Sequence, residues 1–216
     1  ISDCLVGSEM CIRDRSFFMF TYFTDRDGKM QLESLAQSGF DPLSRTCRFM
    51  LTEEAHHMFV GETGVGRTIQ ATVDAMTAAG ITDPHNTNRI RDLGVIDLPT
   101  IQKKLNLHYS LSLDLFGNEV STNAANAFNA GIKGRYMEHR LDDDHQLQRD
   151  TYDVKMVSED QIVTEQMPAL NAINMRLRDD YVKDASGGLT RWTKIMKRKN
   201  VDFEFRLPHE GFNRNI

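Results

Sequence analysis

The chain has 216 residues, 40% of them hydrophobic and 26% charged, with a net charge of −5. That is enough chain for one domain with a real core, and the acidic balance excludes a general basic footprint for nucleic acid or anionic lipid. No apolar run reaches the length of a membrane span; the longest, Phe17 to Phe23, is broken by Thr21.

Residues 1–15, ISDCLVGSEMCIRDR, show neither the basic-then-apolar order of a signal peptide nor apolar periodicity. They resemble a translated sequencing-adapter read-through and are set aside from the fold reading, which leaves residues 16–216 and an expectation that the natural gene continues upstream of Ser16. Cys4 and Cys11 fall in the excluded stretch. Cys47 then has no internal disulfide partner, which fits a reducing cytoplasm, and it reads as a small core residue.

From Ser16 to about Ala36, Phe17, Phe20, Phe23 and Met30 recur near helical spacing, weakened by Gly28. Gly39 ends this element. Asp41 is placed to cap the next helix, with Pro42 at its first position. That helix runs over Leu43 to Val60, is loosened by Gly61, Gly64 and Gly66, and resumes or continues from Arg67 to Ala79. A loop spans residues 81–94. Asp97 and Pro99 open a largely buried helix that ends near Gly117. Val120 to Ala130 predicts a short packed helix, and the polar run from Lys133 to Asp153 a surface helix or ordered loop. An amphipathic helix over Leu170 to Val182 is separated by Gly187 and Gly188 from a last helix, Leu189 to Lys199. The alternating VDFEFRL forms a short extended tail. The fold class is all-α.

The strongest chemical signal is LTEEAHHMF, with two overlapping Glu-x-x-His pairs, Glu53/His56 and Glu54/His57. Residues three apart share a helix face, so each pair presents a carboxylate and an imidazole to one point. Such donors suit iron, manganese or zinc. In ferritin-like di-metal bundles each of two helices supplies a pair of this kind and the other two supply one carboxylate each. The motif alone is common on solvated helix faces. Its apolar neighbours, Phe49, Met50, Leu51, Met58 and Phe59, favour a buried site instead, because buried polar groups need partners. Asp25 is a candidate third carboxylate, equally readable as a solvated helix end. A wider set adds Asp114, Asp142 and His145, but DDDHQLQRD is polar on every side and reads as surface.

The strings SFFMFTYFTDRDGK, FDPLSRTCRFMLTEEAHHMFVGETGVGR and LHYSLSLDLFGNEVSTNAANAFNAGIKGR closely resemble the oxygenase components of benzoyl-CoA 2,3-epoxidases, bacterial multicomponent di-iron oxygenases. The resemblance covers Ser16 to Ile216. It implies the C-terminal part of a single ferritin-like domain, an incomplete four-helix bundle followed by C-terminal helices. It implies metal ligation by Asp25, Glu54 and His57, with Glu54 also catalytic. Glu53 and His56 become neighbours that support the ligands. The other half of a di-iron (Fe) centre is implied upstream of SFFMF. The implied substrates are benzoyl-CoA and O2, with one oxygen atom passing to the ring and the other to water. Electrons come from NADPH through a separate reductase carrying FAD and iron–sulfur clusters. Coenzyme A phosphates call for basic partners, for which Arg89, Arg91, Lys103, Lys104, Lys133, Arg135 and the cluster Lys194, Lys197, Arg198 and Lys199 are available and none is assigned. The competing expectation is a non-enzymatic, ferritin-like metal-binding protein.

Overall fold

Helix α1 runs over Glu9–Leu35 and α2 over Asp41–Ala78. The short connection between them makes the pair an antiparallel helical hairpin. The computed structural model describes residues 9–116, 150–158 and 161–208. Beyond the hairpin come a short α3 (Thr87–Asp92), α4 (Leu98–Leu115), an antiparallel ribbon of β1 (Thr151–Ser158) and β2 (Gln161–Pro168), and α5 (Ala169–Lys197). The chain is mostly helical, as its patterning predicts. The expected elements over residues 120–149 lie outside the described residues.

Several expectations are corrected. α1 begins at Glu9, inside the stretch set aside, because no Gly or Pro after Gly7 stops a helix already nucleated by its C-terminal portion. Asp41 does not cap α2. Phe40 occupies that position without a side-chain cap, and Asp41 pairs instead with Arg45 one turn on. Residues 81–94 contain α3, capped by Asn86, which accepts from the Arg89 amide. Asp97 does cap α4: its Oδ1 accepts from the Thr100 amide at 2.9 Å, while Oδ2 takes Arg91 Nε at 2.6 Å. The tail after α5 forms no strand ladder; Val201 and Phe205 are buried in the main core.

The glycines expected to loosen α2 and to divide α5 do neither. α2 runs unbroken through Gly61, Gly64 and Gly66, and α5 through Gly187 and Gly188. Their role is close approach. A Cβ on Gly61 would lie 2.6 Å from the Tyr22 amide nitrogen and 2.9 Å from the Phe18 carbonyl. One on Gly64 would sit 2.3 Å from the Phe18 ring, and one on Gly188 2.0 Å from the Tyr22 hydroxyl. The absent side chains let α2 lie directly on α1, and α5 on Tyr22.

The buried stripe of α1 is Met19, Tyr22, Phe23 and Met30. Phe17 and Phe20, expected to share it, are exposed at 56% and 47%. The core joins this stripe to Ile69, Val73 and Met76 of α2, Leu105 and Leu113 of α4, and Tyr181, Trp192 and Met196 of α5. A smaller cluster of Leu32, Ala36 and Cys47 packs the hairpin end, which places Cys47 in a core as expected. Arg26, itself buried, pairs with Asp184 at 3.0 Å and lies over the Tyr22 ring. The Tyr22 hydroxyl donates to the Ala185 carbonyl at 2.8 Å. Glu62 receives Arg191 and offers its carbonyl to Trp192 Nε1 at 3.1 Å, which ties α5 to α2 as well.

Two glycine substitutions separate packing from helix propensity. Gly61→Ala is expected to destabilise the fold by about 1–3 kcal/mol, because its methyl meets backbone that cannot move aside. Gly66→Ala, whose methyl meets only ordinary contacts at 3.7 Å, is expected to be neutral or to stabilise by roughly 0.5–1 kcal/mol. Urea unfolding of the two variants measures both.

Candidate metal centre

Asp25 sits in the middle of α1, not at its end, which removes the reading of it as a helix-terminal solvating residue. Glu54 and His57 sit near the middle of α2. The antiparallel register that puts Gly64 against Phe18 and Gly61 against Tyr22 continues along the hairpin. It brings Gly28 against Glu54 and, between these contacts, Asp25 against His57.

His57 Nδ1 lies 3.7 Å from Asp25 Oδ2 and 3.8 Å from Glu54 Oε2. One donor atom from each of the three residues falls within 4.8 Å of the others. A first-row metal holds such donors at about 2.0–2.2 Å, so any two lie within about 4.4 Å of each other. The two His57 separations already meet that limit, and the carboxylate oxygens lie within 4.8 Å of each other. Among the described residues this is the one group of three or more His, Cys, Asp and Glu side chains with such spacing.

The electrostatics also fit a cation. Glu54 Oε2 is buried and has no hydrogen-bond partner. Burial raises the Glu54 pKa, the Asp25 charge raises it further, and His57 pulls it back. Burial likewise raises Asp25, opposed by His57. Two carboxylates have thus been brought together, partly dehydrated, with one half-exposed imidazole to balance them. Opposite the Glu54 carboxylate, Gly28 leaves space: a Cβ there would stand 3.9 Å from Cδ and Oε1. The donor chemistry, the spacing and the orphaned oxygen all suit a carboxylate- and imidazole-binding metal.

Glu53 and His56 are exposed and lie outside the cluster. The His56 and His57 rings stand 6.5 Å apart between centroids. The sequence argument that apolar neighbours would bury the motif is corrected as well. Phe49 and Phe59 are 77% and 67% exposed, so these neighbours do not bury the motif. A groove of about 370 Å³ lies further along the hairpin, lined by Phe18, Phe59, Val60, Thr63, Gly64 and Arg67. Of the wider set, Asp142 and His145 lie outside the described residues. Asp114 belongs to α4, and its side chain lies outside them also. Arg91 and Lys199, among the basic residues considered for phosphate, pair with Asp97 and Asp74.

Over 201 residues the chain is 55% identical to benzoyl-CoA oxygenase component B of Aromatoleum evansii. The chain is thus a relative of that oxygenase component. The match takes in 93% of this chain and 42% of its relative, so the chain spans about two-fifths of the relative's length. No protein-family model matches the chain. Among the described residues no helix is long and apolar enough to cross a membrane.

The raised carboxylates fix the sign of a pH effect on the metal-free protein. Asp27, buried on the other side of α1, is pushed up from 3.8 to about 6 by burial, against its bond from Gln31. A carboxyl whose folded pKa exceeds its unfolded value holds its proton more tightly when folded. Its favourable contribution is complete below the unfolded pKa and is lost as pH rises through the folded one. Stability of the metal-free protein is therefore expected to fall as pH rises from about 4 past 6, with Asp25 and Glu54 adding in the same direction. Glu54→Gln should make the fall shallower and leave the metal-free variant more stable at neutral pH, as read by urea unfolding across that range.

Proposed function

We propose that this stretch carries one half of a di-iron centre in a ferritin-like oxygenase that converts benzoyl-CoA to its 2,3-epoxide. The convergence of Asp25, Glu54 and His57 at one point carries the reading. A lone carboxylate from one helix and a Glu-x-x-His from the next is half of the ligand set used by ferritin-like di-iron proteins. The remaining donors would come from residues beyond the two-fifths of the relative that this chain spans. The open aromatic face around Phe17, Phe20, Phe49 and Phe59 supports that view, since an exposed apolar patch of this kind marks a surface meant to be covered.

Iron suits the mixed set of carboxylates and one imidazole, and when bound it supplies the activation of dioxygen that no side chain here can perform. The chain's own contribution is positional. Asp25 and Glu54 would balance the charge of the ion, and His57 would add its imidazole as a third donor. Phe18 and Phe59 line an open, largely apolar groove on the same hairpin, a surface against which an aromatic ring could pack. On this reading NADPH is the electron source through a separate reductase, with its FAD and iron–sulfur clusters, as the resemblance to these oxygenase components implies. The similarity to an oxygenase component favours this reading over a storage protein.

The test uses the protein extended to the length of its relative, with reductase, NADPH, O2 and benzoyl-CoA. Glu54→Ala and His57→Ala are each expected to lower bound iron and abolish epoxide formation, while Glu53→Ala and His56→Ala keep both. Wild-type iron content and turnover in either of the first two variants would refute the site. The 216-residue chain alone is expected to bind iron weakly and to show no turnover, as measured by metal analysis and product assay.

A further inference from the structure

Residues two apart on a helix point to nearly opposite sides. While Asp25 faces the cluster, Asp27 faces inward, where three helices bring oxygens together. Asp27 of α1 and Ser112 of α4 are 1% exposed, and Tyr181 of α5 is fully buried. Asp27 Oδ2 accepts from Gln31 Nε2 at 3.1 Å. Asp27 Oδ1, Ser112 Oγ and the Tyr181 hydroxyl have no hydrogen-bond partner.

The three elements pack together at this level. The Tyr181 ring stacks on Tyr109 at 6.0 Å between centroids and meets Phe116 at 5.4 Å, one turn to either side of Ser112, and Tyr109 meets Phe23, one turn before Asp27, at 5.7 Å. Burial raises the Tyr181 hydroxyl pKa most strongly, and Ser112 lowers it, yet neither hydroxyl completes a hydrogen bond of ordinary geometry. A buried polar atom without a partner costs about 1–3 kcal/mol, and three such atoms on helices packed against one another is a cost that native interiors seldom carry. The usual solution is an internal water making about three hydrogen bonds to groups that cannot reach one another. The inventory matches: one carboxylate oxygen that can only accept, and two hydroxyls that can each donate or accept.

We propose that Asp27, Ser112 and Tyr181 hold a single buried water molecule that donates to Asp27 Oδ1 and exchanges hydrogen bonds with the two hydroxyls. The water ties α1, α4 and α5 together at the level of Asp25, so it fixes the rotation of α1 from behind the cluster. The inference stands on the core alone and does not depend on the metal reading.

Urea unfolding and crystallography at a resolution that shows ordered solvent test the site. Tyr181→Phe and Ser112→Ala are each expected to raise the unfolding equilibrium constant by roughly fivefold, and the double variant by less than the product of the two. The electron density of the unsubstituted protein is expected to hold one ordered water within hydrogen-bond distance of all three oxygens. Unchanged or increased stability in either variant overturns the proposal, since an oxygen that lacks any partner is better removed. Density in which the side chains bond one another directly, with no water between them, overturns it as well.

Discussion

Backbone lies on backbone where α2 crosses Tyr22, and the position of every side chain in the cluster follows from that contact. Two helices carrying ordinary side chains at their interface stand 8–10 Å apart. Gly61 has nothing to keep them apart, since even a methyl there would collide with the Tyr22 amide. A contact that tight admits one register. Counting away from it in opposite directions along an antiparallel pair brings Asp25 and His57 together, then Gly28 and Glu54. The three clustered residues need no local motif to find one another across the hairpin. They are placed by a glycine one turn further along the helix that carries two of them.

α5 turns this hairpin from a pair of helices into a fixed frame. Tyr22 is held from both sides: its backbone by Gly61, its ring by Trp192 and Arg26, its hydroxyl by the Ala185 carbonyl. Arg26 is a buried cation and is stable there because Asp184, the Tyr22 carbonyl and the Tyr22 ring all receive it. A buried charge with several partners is costly to disrupt, because removing one leaves the others uncompensated. The polar contacts on the far side of α1 therefore resist its rotation and so hold Asp25 in the direction of His57.

How much of this can be read in the chain depends on whether the signal is local. Asp97 as a cap, the buried helix after it and Cys47 in a core are local facts, and spacing reveals them. The glycines mislead because their meaning is not local. Gly61, Gly64 and Gly188 look like breakers on propensity alone, and only the partner helix shows that close packing outweighs their cost of about 1 kcal/mol each. The aromatic run from Phe17 to Phe23 misleads similarly: its periodicity is mixed, and the side it buries is decided by α4 and α5. The β-ribbon is absent from the expectations, which carry a polar helix or loop as far as Asp153; Tyr152, Val154 and Met156 do alternate with Asp153 and Lys155, but over too few residues to stand out among helical patterns. The choice of Glu54/His57 over Glu53/His56 came from resemblance, since helical spacing serves both pairs equally. The hairpin register is the physical reason that only the former meets Asp25.

The same register places the cluster under electrostatic tension. Helices pack so closely here that two carboxylates share one partly dehydrated place with a single half-exposed imidazole. Protonation relieves that tension only at acid pH, and it removes the charge that makes the oxygens useful. A divalent cation relieves it at neutral pH. It reverses the sign of the local field, so that groups whose pKa values burial has raised become stable as anions. On the proposed reading, a site arranged in this way gives up stability when empty and would recover it on binding a cation. The orphaned oxygen of Glu54, beside the space that Gly28 leaves open, is where that exchange is most direct.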